Sequence, residues 1–208
     1  MELFDTLDVL GTAVFAISGA LTAKSKRLDL FGILIVAFFT AVGGGTIRSI
    51  LVGTQPIAWM VDLRYMWAIL VGYLLAVLFG KWIAPWRRAW FLFDTIGLGV
   101  FTILGLKEGI RLGYAPIIAM LLGMVTASFG GIVRDILTNT IPLILRKEVY
   151  ALASLAGGAI FLLLENWEIS ELFRSMITLA VVMIIRFVAV KYHLGLPVPA
   201  SSQDSPSN

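Results

Sequence analysis

Residues 40–51, TAVGGGTIRSIL, return 86 positions later as TASFGGIVRDIL at 126–137, with Thr40/Thr126, Ala41/Ala127, Gly44/Gly130, Gly45/Gly131, Arg48/Arg134, Ile50/Ile136 and Leu51/Leu137 identical. The same ungapped register lays DVLGTAVFAISG at 8–19 over DTIGLGVFTILG at 94–105, matching Asp8 to Asp94 and Phe15 to Phe101, and it pairs Pro56 with Pro142 and Gly72 with Gly158. Apolar composition alone gives about one or two identities per twelve aligned positions, so seven and six, glycine, aspartate and arginine among them, mark an internal duplication.

Around this repeat the chain is strongly apolar. Of 208 residues, 59% are hydrophobic and 14% charged, and the mean hydropathy is +0.95. Soluble domains run at about 45–50% apolar and 25% charged, so a soluble fold is excluded. Spanning about 30 Å of hydrocarbon takes roughly 20 helical residues. Seven stretches qualify or nearly so, at 4–23, 30–52, 65–84, 89–106, 114–138, 149–165 and 171–191. The expected fold is therefore an all-α integral membrane protein of seven transmembrane helices. Residues 1–88 form a first three-helix repeat, 89–170 a second, 171–192 a seventh helix, and the Pro- and Ser-rich 193–208 a disordered cytoplasmic tail. Three spans per repeat is an odd number, so the second copy enters the membrane inverted, as in many transport proteins.

The charges set the orientation. Lys and Arg number nine on the side of the first, third and fifth loops and the C-terminus, against four on the other, which puts the N-terminus outside and the C-terminus in the cytoplasm. Because these cations sit in short loops between apolar runs, the net charge of +3 does not point to nucleic acid. The acidic start MELFDTLD lacks the basic region of a signal peptide, so the first apolar run is expected to stay as a helix. There is no cysteine and one histidine, His193, so disulfides, thiolate metal sites and histidine clusters are excluded. Neither a GxxxxGK[ST] nor an HExxH motif occurs, and no enzyme activity or cofactor is expected.

Candidate chemistry gathers at the repeated motif. Gly43, Gly44 and Gly45 in the second span and Gly130 and Gly131 in the fifth lie deep in apolar runs. Two readings stand: a broken helix whose freed carbonyls line a polar path, or close packing between helices. Each glycine costs about 1 kcal/mol relative to alanine in a helix. Arg48 and Arg134 follow by three residues, and an arginine at bilayer depth costs at least about 2.5–3.5 kcal/mol, so each needs a partner, a wet cavity or a headgroup to reach. Neighbours on a helix point about 100° apart, so the partner of Asp135 is expected on another helix, with Arg48 a natural candidate. Asp8 and Asp94 either flank the pathway mouths or cap their helices. Thr46, Ser49, Thr126 and Ser128 offer hydroxyl oxygens to an ion, or bond their own helix backbone. Arg186, about one turn before Lys191, is expected at the cytoplasmic interface.

GGGTIRSIL at 43–51 and FGGIVRDIL at 129–137, set in two three-helix repeats followed by a seventh helix, resemble the prokaryotic branch of the trimeric intracellular cation channel family over about residues 4–191. The resemblance implies a homotrimer in an inner membrane, with one pore per protomer lined by the first, second, fourth and fifth spans. It implies passage of monovalent cations, potassium or sodium, near Gly44 and Gly130, and kinked second and fifth helices. Two positions depart from the pattern, Ser49 where an aspartate commonly follows the arginine and Phe129 in place of a third glycine. Bacterial members are also described as glycine transporters, so a secondary transporter for glycine or another small zwitterion stands as the alternative. Paired arginines favour an anionic group, and Asp8, Asp94 and Asp135 a cation.

Overall fold

In a bilayer only a helix satisfies its own backbone hydrogen bonds within one segment, and every long apolar run here becomes one. The computed structural model describes residues 2–80, 86–146 and 149–195. The expected tail from 196 onward, and Lys81 and Lys147 of the loop-charge count, lie outside them. The helices are α1 (Glu2–Ser25), α2 (Leu30–Val52), the short α3 (Ala58–Val61), α4 (Leu63–Phe79), α5 (Trp86–Arg111), α6 (Pro116–Leu137), α7 (Ala151–Leu163) and α8 (Glu171–Lys191). Their ends carry the expected signals. The Asp29 carboxylate accepts the Gly32 N–H at 2.6 Å to cap α2, and Gly53, at φ 72°, closes the same helix in the left-handed region. Pro116 opens α6 and Ser170 caps α8. At the start of α4, hydrogen bonds from the Arg64 side chain and backbone hold the Asp62 carboxyl below its ordinary range.

Among the described residues five helices are long and apolar enough to cross a membrane: Phe4–Ser25, Leu30–Val52, Ala89–Arg111, Pro116–Leu137 and Glu171–Lys191. α4 and α7, at 17 and 13 residues, are shorter than the sequence suggested. At 1.5 Å per residue α7 rises only about 20 Å before the tighter 3₁₀ turn Leu164–Asn166 takes over.

The two copies pack against each other through equivalent residues. The rings of Phe15 and Phe101, equivalent positions, stack with centroids 5.0 Å apart. Each ring lies over the other copy's glycine: a Cβ on Gly97 would overlap the Phe15 ring, and one on Gly11 would stand 3.2 Å from Phe101. α2 crosses α6 in the same reciprocal way. A Cβ on Gly44 would overlap the Thr126 carbonyl oxygen, and one on Gly130 the Thr40 carbonyl oxygen. This corrects the expectation of glycine-broken helices. α2 and α6 run as single helices through Gly43 to Gly45 and through Gly130 and Gly131, with no unwound turn. Gly43, Gly44 and Gly130 are small because the facing helix's backbone occupies the space a side chain would need, whereas a Cβ on Gly131 would meet the Tyr150 hydroxyl and one on Gly45 nothing within 4 Å.

The copies differ in what flanks them. In the first, α4 packs on α1, where a Cβ on Gly72 would sit 2.7 Å from the Ala13 carbonyl oxygen. In the second, the counterpart of Ala13 is Gly99, and it faces Leu179 of α8. α8 also meets α7, where Gly157 faces Val182. The helix without a counterpart thus takes the place beside α5 that α4 holds beside α1.

Candidate functional site

The first turns of α1 and the last turns of α5 line one vestibule of about 530 Å³, so these helices run antiparallel; Asp5, Asp8, Arg48, Lys107, Glu108, Arg111 and Glu171 share its wall with Phe4 and Leu104. At its floor Arg48 Nη2 donates to Asp8 Oδ2 at 2.7 Å, with 13% and 12% of the two side chains exposed. Lys107 pairs with Glu171, and Arg111 grips Glu108 through Nε and Nη2 at 2.8 and 2.7 Å. Beside Arg48 a further cavity of about 20 Å³, room for about one water, is lined by Thr12, Gly45, Ser49, Trp59 and Tyr65, among others.

A second pocket, of about 180 Å³, opens at the other end of α1 between Thr22, Ser25, Lys26, Trp90, Asp135, Thr140 and Arg146. Behind it lies a sealed charge cluster. Arg134, with no exposed surface, donates through Nη1 to Asp94 Oδ1 and to Ser18 Oγ at 2.9 Å, and through Nε to Asp135 Oδ1 at 2.9 Å. Asp135 Oδ2 accepts the Leu143 N–H at 3.0 Å. The Arg134 guanidinium stacks over Trp90 with its carbon 5.0 Å from the ring centre. Arg186 of α8 is equally buried, its Nη2 4.0 Å from Asp94 Oδ2 and its guanidinium over the rings of Tyr150 and Phe91.

Asp8–Arg48 and Asp94–Arg134 are the same pair in the two copies, each spanning 40 residues. Neither aspartate caps its helix: Asp8 lines the vestibule wall, and Asp94 is fully buried. Arg48 takes Asp8, not Asp135 as expected, and Asp135 binds its own neighbour Arg134. The 100° between adjacent Cβ directions does not separate them, because the long arginine side chain curls back across its helix. Arg186 is likewise corrected from interface to interior: α8 packs on α5 and α7 and carries it inward. Ser128 and Thr126 turn their hydroxyls onto their own helix, donating to Met124 O at 2.7 Å and Leu122 O at 2.6 Å. Thr46 Oγ1 accepts from Trp59 Nε1 at 3.0 Å. At the α2–α6 crossing the Thr126 and Thr40 carbonyl oxygens face Gly44 and Gly130, and both helices are continuous there.

Sequence reasoning missed Ser18, Trp90, Tyr65 and Tyr150. The repeat register held part of the signal. Ser18 stands opposite Leu104, giving one arginine an acceptor that the other lacks, and tyrosines open both α4 and α7, one residue out of register.

A duplicated helical unit with an arginine–aspartate pair at apolar depth in each copy defines a polytopic helical membrane protein. A family model described as "Glycine transporter" matches the chain twice, over residues 5–81 and 91–166. The UPF0126 membrane protein of Vibrio cholerae is 37% identical over 194 residues, which is 92% of this chain and 80% of that one. The inner membrane protein YadS of Escherichia coli is 36% identical over 206 residues, 95% and 97% of the two chains. Among solved structures, the TRIC trimeric intracellular cation channel orthologue from Rhodobacter sphaeroides superposes with a TM-score of 0.86 at 31% identity, covering 93% of this chain and 100% of that one. A prokaryotic TRIC channel crystallised in 0.5 M KCl gives 0.85 at 29%, covering 94% and 99%. The chain belongs to the prokaryotic trimeric intracellular cation channel family, described in its family model as the glycine transporter family.

Proposed function

We propose that this protein is a monovalent cation channel, passing potassium or sodium, with one path in each protomer of a homotrimer. Its place is an inner membrane, with the N-terminus outside and the C-terminus cytoplasmic. The observation that carries the reading is that one chain holds a polar vestibule over an arginine–aspartate pair at each of its two ends, so a single protomer supplies both mouths of a path. Four carboxylates against three cations line the first vestibule, which favours cation entry. The path runs from Asp8 and Arg48 past Gly45 and Ser49, across α2 and α6, to Ser18, Arg134 and Asp135. Residues 1–88 and 89–170 are its two inverted halves. The stacked Phe15 and Phe101 rings and the glycine crossing close the middle, so conduction requires α2 and α6 to part at Gly44 and Gly130. Ions then pass beside these glycines and the hydroxyls of Thr46, Thr126 and Ser128.

A transporter for glycine or a similar zwitterion is the second reading. It is favoured by Arg48 and Asp8 standing 2.7 Å apart on a vestibule floor, one suited to a carboxylate and the other to an ammonium group. Purified protein in liposomes separates the two. The channel reading expects potassium flux driven by voltage and no saturable uptake of labelled glycine. Saturable glycine entry without potassium flux overturns it.

A further inference from the structure

We propose that Arg186, on the one helix outside the duplication, is the positioning residue that holds the second end of the path shut. The inference rests on the two pockets being ends of one path. Each copy presents the same constellation of aspartate, arginine, motif glycine and tyrosine: Asp8, Arg48, Gly45 and Tyr65 in the first, Asp94, Arg134, Gly131 and Tyr150 in the second. The first is open. Its arginine and aspartate are 13% and 12% exposed, and a Cβ on Gly45 would meet nothing within 4 Å. The second is sealed. Arg134 and Asp94 have no exposed side-chain surface, and a Cβ on Gly131 would stand 2.9 Å from the Tyr150 hydroxyl.

Tyr150 therefore fills the space that remains a cavity beside Tyr65, and Arg186 is what sets Tyr150 there. Its guanidinium lies 4.7 Å from the centre of the Tyr150 ring and 5.1 Å from that of Phe91, while Nη2 faces Asp94 Oδ2 at 4.0 Å. Among the described residues of the first copy no arginine corresponds to it, because α8 has no counterpart. Its charge also balances the cluster. Arg134 and Arg186 offset Asp94 and Asp135; without Arg186 two carboxylates share one arginine, and the negative remainder draws in water and cations. Loss of this residue opens the second end.

The protein has no cysteine, so single reporter cysteines can be read without background. Ser18→Cys sits on the Arg134 guanidinium, and Thr22→Cys stands one turn nearer the pocket mouth. Both are treated, in membrane vesicles, with a membrane-impermeant methanethiosulfonate from the side of residues 140–146. Thr22→Cys is expected to react in every background. Ser18→Cys is expected to be protected with Arg186 in place, to react at least about tenfold faster in Arg186→Gln, and to stay within about threefold of its original rate in Arg186→Lys, which keeps the charge. Val182→Cys, buried against Gly157, must stay unreactive throughout; its reaction marks general loosening and overturns the proposal. If Arg186→Gln does not fold, Arg186→Met preserves the packing volume and carries the same expectation. Equal protection of Ser18→Cys with and without the arginine overturns the role of Arg186. An unreactive Thr22→Cys overturns the underlying reading of the pocket as a water-filled mouth, which is a different result.

Discussion

Arg134→Ala is expected to destabilise the protein by about 3–5 kcal/mol, the range for removing one partner of a buried ion pair. Its guanidinium has no exposed surface and is the hydrogen-bond donor to Asp94, Asp135 and Ser18 together. Alanine leaves Asp94, fully buried, and Asp135, at the pocket wall, without their shared donor. Arg48→Ala, at the equivalent position, is expected to lose about 1–3 kcal/mol, the range for a single charged hydrogen bond, because Asp8 keeps access to its vestibule. Lysine is not expected to rescue position 134, since a point charge cannot address three acceptors in the fork geometry of a guanidinium. Thermal unfolding of the purified protein in detergent, followed by tryptophan fluorescence, measures the difference. Equal losses at 48 and 134 would contradict the asymmetry between the two ends.

The glycine motif gives the second large effect, and it separates residues that are adjacent in sequence. Gly44→Ala and Gly130→Ala each drive a methyl group into the facing helix's carbonyl oxygen, of Thr126 and Thr40 respectively. Backbone cannot swing aside as a side-chain end can. Each substitution is expected to cost about 2–3 kcal/mol, toward the upper range for overpacking. Gly45→Ala meets nothing within 4 Å and replaces a poor helix former, so it is expected to be neutral or to stabilise by up to about 1 kcal/mol. The same unfolding assay checks both. Were the glycines present to break the helix, all three alanines would act alike.

That contrast also marks where sequence reading stops. The duplication, the helices and the equivalence of Asp8 with Asp94 and of Arg48 with Arg134 are legible because identities at a fixed offset survive without any knowledge of packing. Glycines at apolar depth are not self-explanatory, since a break and a tight crossing demand the same residue; only the carbonyl of the opposing helix decides between them. The pairing of Asp8 with Arg48 depends on how far α1 slides along α2, a tertiary quantity that helix spacing does not fix. The Asp135 expectation failed because Cβ directions do not limit how far an arginine side chain reaches. Arg186 reads as an interface residue from its distance to Lys191, and it is buried because α8 packs on α5 and α7. The difference between Ser49 and Asp135 was visible as a substitution in the repeat. Its consequence, one open and one sealed arginine, emerges only with Ser18 and Tyr150 in place.

In the proposed function, cations cross each protomer along the path that begins at Asp8 and Arg48. Gly45 lines the cavity beside that pair with open space at its Cβ, so Gly45→Cys places a thiol on the path without a clash. Voltage-driven potassium flux through liposomes carrying this variant, measured before and after a bulky methanethiosulfonate that forms a reducible disulfide with the thiol, is the most direct test. The reagent is expected to abolish at least about nine-tenths of the flux, and reduction to restore it. Undiminished potassium flux through fully labelled protein would contradict that path.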